Sequence, residues 1–474
     1  MKFKKVTAMA LAGAMALSMA ACGTSPSSSA PGNSNNENSS KSSGENNDGS
    51  SPEANNTSGE KLVIWTQSAD LEQFGEKFKE ATGVECEVVI YQAGEYQTKV
   101  QQTILAGEKE PDVIIGEPDM LPSMIEAGLF EDLNQYGAQD YADKIVDYVW
   151  KKGQDAEGIQ RAISYQITPA GIYYRRDIAS KVFGTDDPDE IGKLFADYST
   201  ILKTASALKE AGYRIFASDA EILSYFSGQD AWVVDGALNV SQTRLDCMDL
   251  CIDLWNGDFT AFATPWTSPW YQAMSGPINV YEAGTNLWDE EAAEAGKTDE
   301  TTEVFAYGLP AWGVLTIRDN AKDTAGKWGI CTGPAYGMGG GTYIGISSRS
   351  ERKELAWDFV KFCTLTEDTL EWWLEASEGD TVSYLPTLEK HKDDENTVYG
   401  GEKLYSFWLE QAEGIDLSKV TEYDRLIGDA WGAAIDNVKT GTMTKKEAIE
   451  RFCDEVYSTY PELTIDRDAI IPAE

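Results

Sequence analysis

A chain of 474 residues is too long for one hydrophobic core, so two or more compact units are expected. Its 79 acidic against 39 basic residues, a net charge of −40, set up a field that repels phosphate backbones and anionic lipid, which argues against nucleic acid as a partner. One histidine, His391, and seven scattered cysteines supply no transition-metal set, so neither a metal nor another cofactor is expected.

Residues 1–21 start with Lys2, Lys4 and Lys5 and continue as an apolar stretch from Val6 to Ala21, the layout of a signal peptide. The stretch closes on Ala20-Ala21-Cys22, which resembles the lipobox of bacterial lipoproteins, with Met19 where that motif usually carries leucine. The resemblance implies cleavage before Cys22 and a diacylglycerol on its sulfur. Two acyl chains hold a protein on a membrane stably where one does not. The expected location is therefore outside the cytoplasm, on the outer face of the cell membrane, with lipid as the only attachment. Loss of the three leader lysines takes the chain from −40 to −43.

Residues 22–59 are mostly Ser, Asn, Gly, Pro and Glu. Such a segment buries too little to offset its ordering entropy and is expected to be a disordered tether with a span of about 35 Å. No later stretch holds the ~18 consecutive apolar residues of a bilayer span.

The body opens with Lys61–Trp65, a short apolar run suited to a buried strand. Asp70 with Gln73 three residues on has the form of a capping box, and Leu71, Phe74 and Phe78 follow at helical spacing until Thr82-Gly83. Val84 to Tyr91 reads as a second strand. Tyr96, Val100 and Ile104 mark a helix ending at Gly107, and Pro111–Gly116 is a third strand, apolar on both faces as parallel sheets require. Helical spacing resumes with Met120, Met124 and Ala127. Repeated βα units predict a doubly wound α/β domain whose ligands sit outside the carboxyl ends of its strands, where Trp65-Thr66-Gln67 and Gly116-Glu117-Pro118-Asp119 fall. Further on, Cys247 and Cys251 share a helix face at i,i+4 and, like most of the six cysteines left after Cys22, read as small buried hydrophobes.

The stretches KLVIWTQSADLEQF and EPDVIIGEPDMLPSMIEAGLFEDL, then ISYQITPAGIYYRRDI, EVFAYGLPAWGV, WGICTGPAYGMGGGTYIGISS and GDAWGAAIDNVKTGTMTKKEAIERF, run in the order found in the extracellular carbohydrate-binding proteins of ABC importers. The chain resembles that group, the maltose-binding protein family, over most of residues 61–455. The resemblance implies a two-lobed, periplasmic-binding-protein-like fold (type II): two doubly wound α/β domains joined by hinge strands. Crossings are expected near Gln166–Gly171, Trp328–Pro334 and Asp380–Leu385. One lobe then takes residues 60–168 plus 335–380, and the other 169–334 plus 381–474. Phe262 to Thr302, rich in Trp, Gly and acid, departs from the family pattern.

The function implied is binding without chemistry. A monomeric lipoprotein captures a mono- or oligosaccharide between its lobes and delivers it to the transmembrane permease of an ABC importer. Two alternatives stay open: a secreted glycoside hydrolase, and the same fold serving a peptide, polyamine or metal.

Sugars offer C–H faces to aromatic rings and hydroxyl edges to carboxylates and amides. Among 14 Trp and 22 Tyr, position selects the candidates. Trp65 and Gln67 end the first strand. Asp119 falls where the family places a hydroxyl-binding aspartate, though it also suits a helix N-cap. Gln166 and Thr168 precede the first crossing, and Trp312 falls on the family's sugar-stacking tryptophan. From the second lobe, Asp219 and Glu221 either bind hydroxyls or cap the following helix. Trp232 and Tyr343 are candidate walls, whereas Trp431 reads as core. Gly339-Gly340-Gly341 lacks the Lys-Ser/Thr ending of a phosphate loop and precedes a strand-like run, so a turn beside the hinge is expected.

Overall fold

The computed structural model describes residues 61–471 apart from 227–229 and 418; the leader, Cys22 and the tether expected at 1–59 lie outside them. β1 (Lys61–Thr66) pairs in parallel with β2 (Glu85–Ile90) on one side and with β3 (Val113–Gly116) on the other. β3 is buried at every position, as its apolar run requires. The helix Asp70–Thr82 buries Leu71, Phe74 and Phe78 and stops at Gly83, whose φ of 79° is left-handed. The capping box expected of Asp70 and Gln73 does not form. Ala69 holds the cap position, and Asp70 instead accepts hydrogen bonds from Ser68 Oγ (3.1 Å) and Tyr165 Oη (2.6 Å), so a tertiary partner has displaced the local one. Asp112, fully buried, locks the start of β3 by accepting from Val63 N, Ser350 Oγ and Arg352 Nε at 3.0, 2.6 and 3.0 Å.

From β4 (Ile163–Ser164) the chain leaves this first sheet and enters a second as β5 (Ala170–Arg175). Then come β6 (Tyr213–Phe216), a small hairpin of β7 (Val233–Val234) and β8 (Ala237–Leu238), β9 (Ile278–Tyr281), the long β10 (Lys297–Pro310) and β11 (Trp328–Cys331). β12 (Tyr343–Ile346) returns to the first sheet. The two sheets have the orders β2-β1-β3-β12-β4 and β11-β5-β10-β6, with β9 pairing with the start of β10. This is a mixed α/β, type II arrangement of two sheets with chain crossings between them.

The second crossing sits further along the chain than expected. Trp328–Cys331 is a strand paired residue by residue with Arg175–Ile172, anchored by the buried Trp328 ring 5.8 Å from Tyr307, so the passage falls in 332–342. There Gly337 O accepts from Ala170 N (2.8 Å) and Thr168 O from Gly339 N (3.2 Å), so two crossings run side by side. The third segment joins them: Ser383 N donates to Tyr165 O (2.7 Å) and Thr381 Oγ1 to Ile167 O (2.5 Å). Cys247, Cys251, Cys331, Cys363 and Cys453 are buried free thiols, as their spacing suggested, while Cys86 is half-buried. Among the described residues no helix is long and apolar enough to cross a membrane.

Candidate ligand cleft

The crossing segments build the floor of a cleft. Gly340 and Gly341 take φ values of 68° and 123°, which a residue with a side chain rarely adopts. A methyl group on Gly341 would stand only 3.5 Å from Thr168 Oγ1 and 3.7 Å from Pro118 Cγ, so the turn lies directly against the first lobe. Thr168 Oγ1 donates to Gly340 O at 3.0 Å, and Trp312 Nε1 donates to Gly339 O at 2.9 Å. The glycine turn beside the hinge, expected from the sequence, therefore ties the Trp312 ring of the second lobe to Thr168 of the first.

On the first lobe, β1 and β3 deliver their carboxyl ends here. Trp65, half-buried, packs on Tyr91 with centroids 4.9 Å apart. Gln67 is buried, its amide 3.6 Å from Met120 Sδ, and Gln166 is buried beside Thr168. Asp119 is exposed. The helix Leu121–Glu126 uses Met120 as its cap residue without a side-chain bond, so Asp119 is free of the capping role that its position also suited. The surrounding protein and Asp119 push the carboxyl of half-buried Glu117 up to about 8, against the pull of Arg425.

The second lobe answers with the first turn of the helix Asp424–Lys439. Arg425 Nη1 donates to Gln97 Oε1 at 2.7 Å, and its Nε stands 3.8 Å from Asp119 Oδ2. Lys152, at the end of the first-lobe helix Asp147–Lys152, is buried, which pushes it down to about 8 despite the nearby charges of Asp424 and Asp119. Asp424 also faces Arg244, which burial lowers to about 10. The lobes thus meet along a seam in which carboxylates and cations alternate. Trp266 lies 5.7 Å from Trp312, both half-buried. Among the described residues no cluster of His, Cys, Asp and Glu could hold a metal ion.

A family model described as bacterial extracellular solute-binding protein matches residues 73–398. The chain belongs to that family. Solved structures share the fold of this solute-binding protein. One is titled an extracellular solute-binding protein of family 1 (17% identity, 84% of this chain and 99% of that one, TM-score 0.68). Another is a solute-binding protein of Thermotoga lettingae bound to α-D-tagatose (17%, 84% and 99%, TM-score 0.63). A third is the galacto-N-biose/lacto-N-biose I-binding protein of Bifidobacterium longum in complex with lacto-N-biose (13%, 86% and 99%, TM-score 0.64). Among curated relatives, a putrescine-binding periplasmic protein of Pseudomonas aeruginosa is 26% identical over 148 residues, 31% of this chain and 38% of the relative. An arabinooligosaccharide-binding protein of Halalkalibacterium halodurans is 23% identical over 159 residues, 31% of this chain and 36% of the relative. The match thus spans under two fifths of either curated relative.

Within this solute-binding protein, the glycine turn brings Thr168 and Trp312 together, while Trp65 packs on Tyr91, Gln67 on Met120, and Asp119 stands opposite Arg425. Tyr343 lies beneath the glycine turn, 1% exposed, its buried hydroxyl without a hydrogen-bond partner. Three further candidates, Asp219, Glu221 and Trp232, are buried. Asp219 is buried, and Lys439 Nζ donates to its Oδ2 at 2.8 Å. Trp232 is not a wall: the Arg244 guanidinium lies 3.7 Å from its ring centroid, and Trp431 and Phe452 pack against it at 6.0 and 6.1 Å. Glu221 takes the capping alternative: at the start of the helix Ala220–Phe226 its carboxylate accepts from Ser218 N (3.0 Å), and also from Trp270 Nε1 (3.2 Å). Sequence reasoning did not select Arg425, Lys152, Glu117 or Trp266 as site residues. Glu117 and Trp266 sat in stretches already noted, one at a strand end and one where the family pattern breaks. Arg425 and Lys152 are ordinary helical cations until the lobes are brought together.

Proposed function

We propose that this solute-binding protein captures a carbohydrate between its lobes and delivers it to the permease of an ABC importer, working from the outer face of the membrane on a lipid carried by Cys22. In this reading residues 60–168 with 335–380 form one lobe and the remainder of the body the other, and the protein is a receptor, not an enzyme. The observation that carries the reading is half-buried Trp312, fixed to the glycine turn beside Thr168, together with charged groups facing one another from elements of the two sheets: Asp119 3.8 Å from Arg425, and Asp424 near Lys152 and Arg244. Ring faces suit the C–H faces of a sugar. Hydroxyls can accept from one member of each charged pair and donate to the other. The sugars bound by the Thermotoga and Bifidobacterium structures support the same choice.

The putrescine-binding relative raises a cationic solute as the second reading. A diamine needs carboxylates with no cation of their own, whereas those in this seam already face arginine or lysine. Calorimetry with arabinose, galactose and glucose, their di- and trisaccharides, and putrescine separates the readings. Binding of a sugar without release of reducing ends, and no heat with putrescine, is the expected result. Binding of putrescine alone overturns the carbohydrate assignment, and hydrolysis of a glycan overturns the receptor assignment.

A further inference from the structure

Trp266 lies in the stretch that departs from the family pattern, and its backbone is unusual. Its φ is 70°, and Asp258 and Phe262 just before it have φ of 52° and 53°. Bulky side chains rarely occupy this left-handed region, and they persist there only where the surroundings over-determine them. The surroundings here do so. Ala261 N and Ala263 N donate to Phe216 O (3.2 Å) and Ala217 O (3.0 Å) at the end of β6, and Ala261 O accepts from Tyr281 N of β9 (3.1 Å). The helix Ser268–Ser275 follows, and its Trp270 is fully buried, donating from Nε1 to Glu221 (3.2 Å) while its carbonyl accepts from Tyr307 Oη (3.1 Å). The loop therefore rests on one sunk tryptophan and lifts another above it. Trp266 stands 4.9 Å from Trp270 and 5.7 Å from Trp312, inclined to the latter by 35°, and remains half-buried.

From this geometry we infer that Trp266 extends the aromatic face of Trp312 outward from the hinge, and that the cleft takes a glycan of at least two units rather than a monosaccharide. One pyranose ring cannot lie flat on two surfaces inclined at 35°, whereas two rings joined by a glycosidic bond can. The unit nearest the hinge sits on Trp312, whose Nε1 is fixed to Gly339 O, within reach of the Thr168 side of the cleft. The next unit covers Trp266. The inference rests on the carbohydrate reading above and narrows it to oligosaccharides.

The test is calorimetry of the intact protein and its variants with the arabinose, galactose and glucose series of one, two and three units. For the best-bound series, the wild type gains at least tenfold in affinity from one unit to two. Trp266→Ala weakens the two-unit glycan at least fivefold more than the monosaccharide, Trp312→Ala weakens both lengths, and Trp266→Phe restores most of the gain. Circular dichroism establishes that each variant is folded; should Trp266→Ala fail to fold, the step from one unit to two in the wild type and in Trp266→Phe decides. Equal affinity for one and two units, or equal weakening of both lengths by Trp266→Ala, overturns the inference while leaving the carbohydrate reading standing. No binding by any member of the three series removes both.

Discussion

Two tryptophan pairs on the second lobe have similar geometry and opposite fates. Trp266 and Trp312 stand 5.7 Å apart at 35°, and Trp232 and Trp431 stand 6.0 Å apart at 63°. The first pair is half-buried beside the hinge. In the second, Trp232 is 7% and Trp431 3% exposed, with Phe452 against both and the Arg244 guanidinium over one face. What separates a binding surface from a core is therefore not the residue type or the pairing, but whether the protein itself covers the free ring faces.

That contrast is open to direct attack. The largest effect is expected at the covered pair. Trp431→Ala opens a cavity against Trp232 and Phe452 and should cost about 3–5 kcal/mol of stability, read from urea unfolding, with the affinity of the molecules that remain folded nearly unchanged. Trp312→Ala should do the reverse. It loses a ring already partly in solvent, so the unfolding midpoint moves little while affinity for the best sugar falls about tenfold, ~1.4 kcal/mol. If both substitutions strike stability and affinity alike, the division between wall and core is wrong.

A smaller effect is expected at the seam. Arg425→Gln removes the charge facing exposed Asp119 and loosens the bond to Gln97. Partly exposed pairs contribute about 0–1 kcal/mol, so the unliganded protein should shift modestly toward separated lobes. Small-angle scattering would register this as a larger radius of gyration that saturating sugar restores. An unchanged radius with and without sugar would argue against lobe closure through this contact.

The limits of sequence reasoning follow the same contrast. The strands β1 and β3 were legible because each is a short apolar run, and so were the residues at their carboxyl ends, because chain order alone places them there. Gln67, Asp119, Thr168 and Trp312 were selected by that logic and the resemblance, and they remain a proposal for the site. Trp232 was misread as a wall because Ala231-Trp232-Val233 shows no periodicity, and its covering partners, Arg244, Trp431 and Phe452, arrive from distant helices. The Lys439 partner of Asp219 arrives in the same way. The capping box at Asp70 failed for a related reason: the phenol of Tyr165 outcompetes the local backbone, and a tertiary donor cannot be seen from a four-residue motif.

The smallest effect on binding, and the most informative about the seam, is its pH dependence through Glu117. The carboxyl is held up to about 8 in the folded protein against 4.5 for an ordinary glutamate, because burial and Asp119 both oppose its charge. The folded state therefore keeps a proton that the unfolded chain has already lost. Its contribution to stability is complete below about pH 4.5 and erodes as pH rises through about 8. Glu117→Gln is neutral in both states and should flatten that part of the profile, measured as urea midpoints at pH 5, 7 and 9. Affinity should respond only about two- to threefold, because the new charge at high pH faces the cleft, where Arg425 and solvent screen it. A profile equally steep in wild type and Glu117→Gln would move the titrating group elsewhere and leave the seam electrically silent.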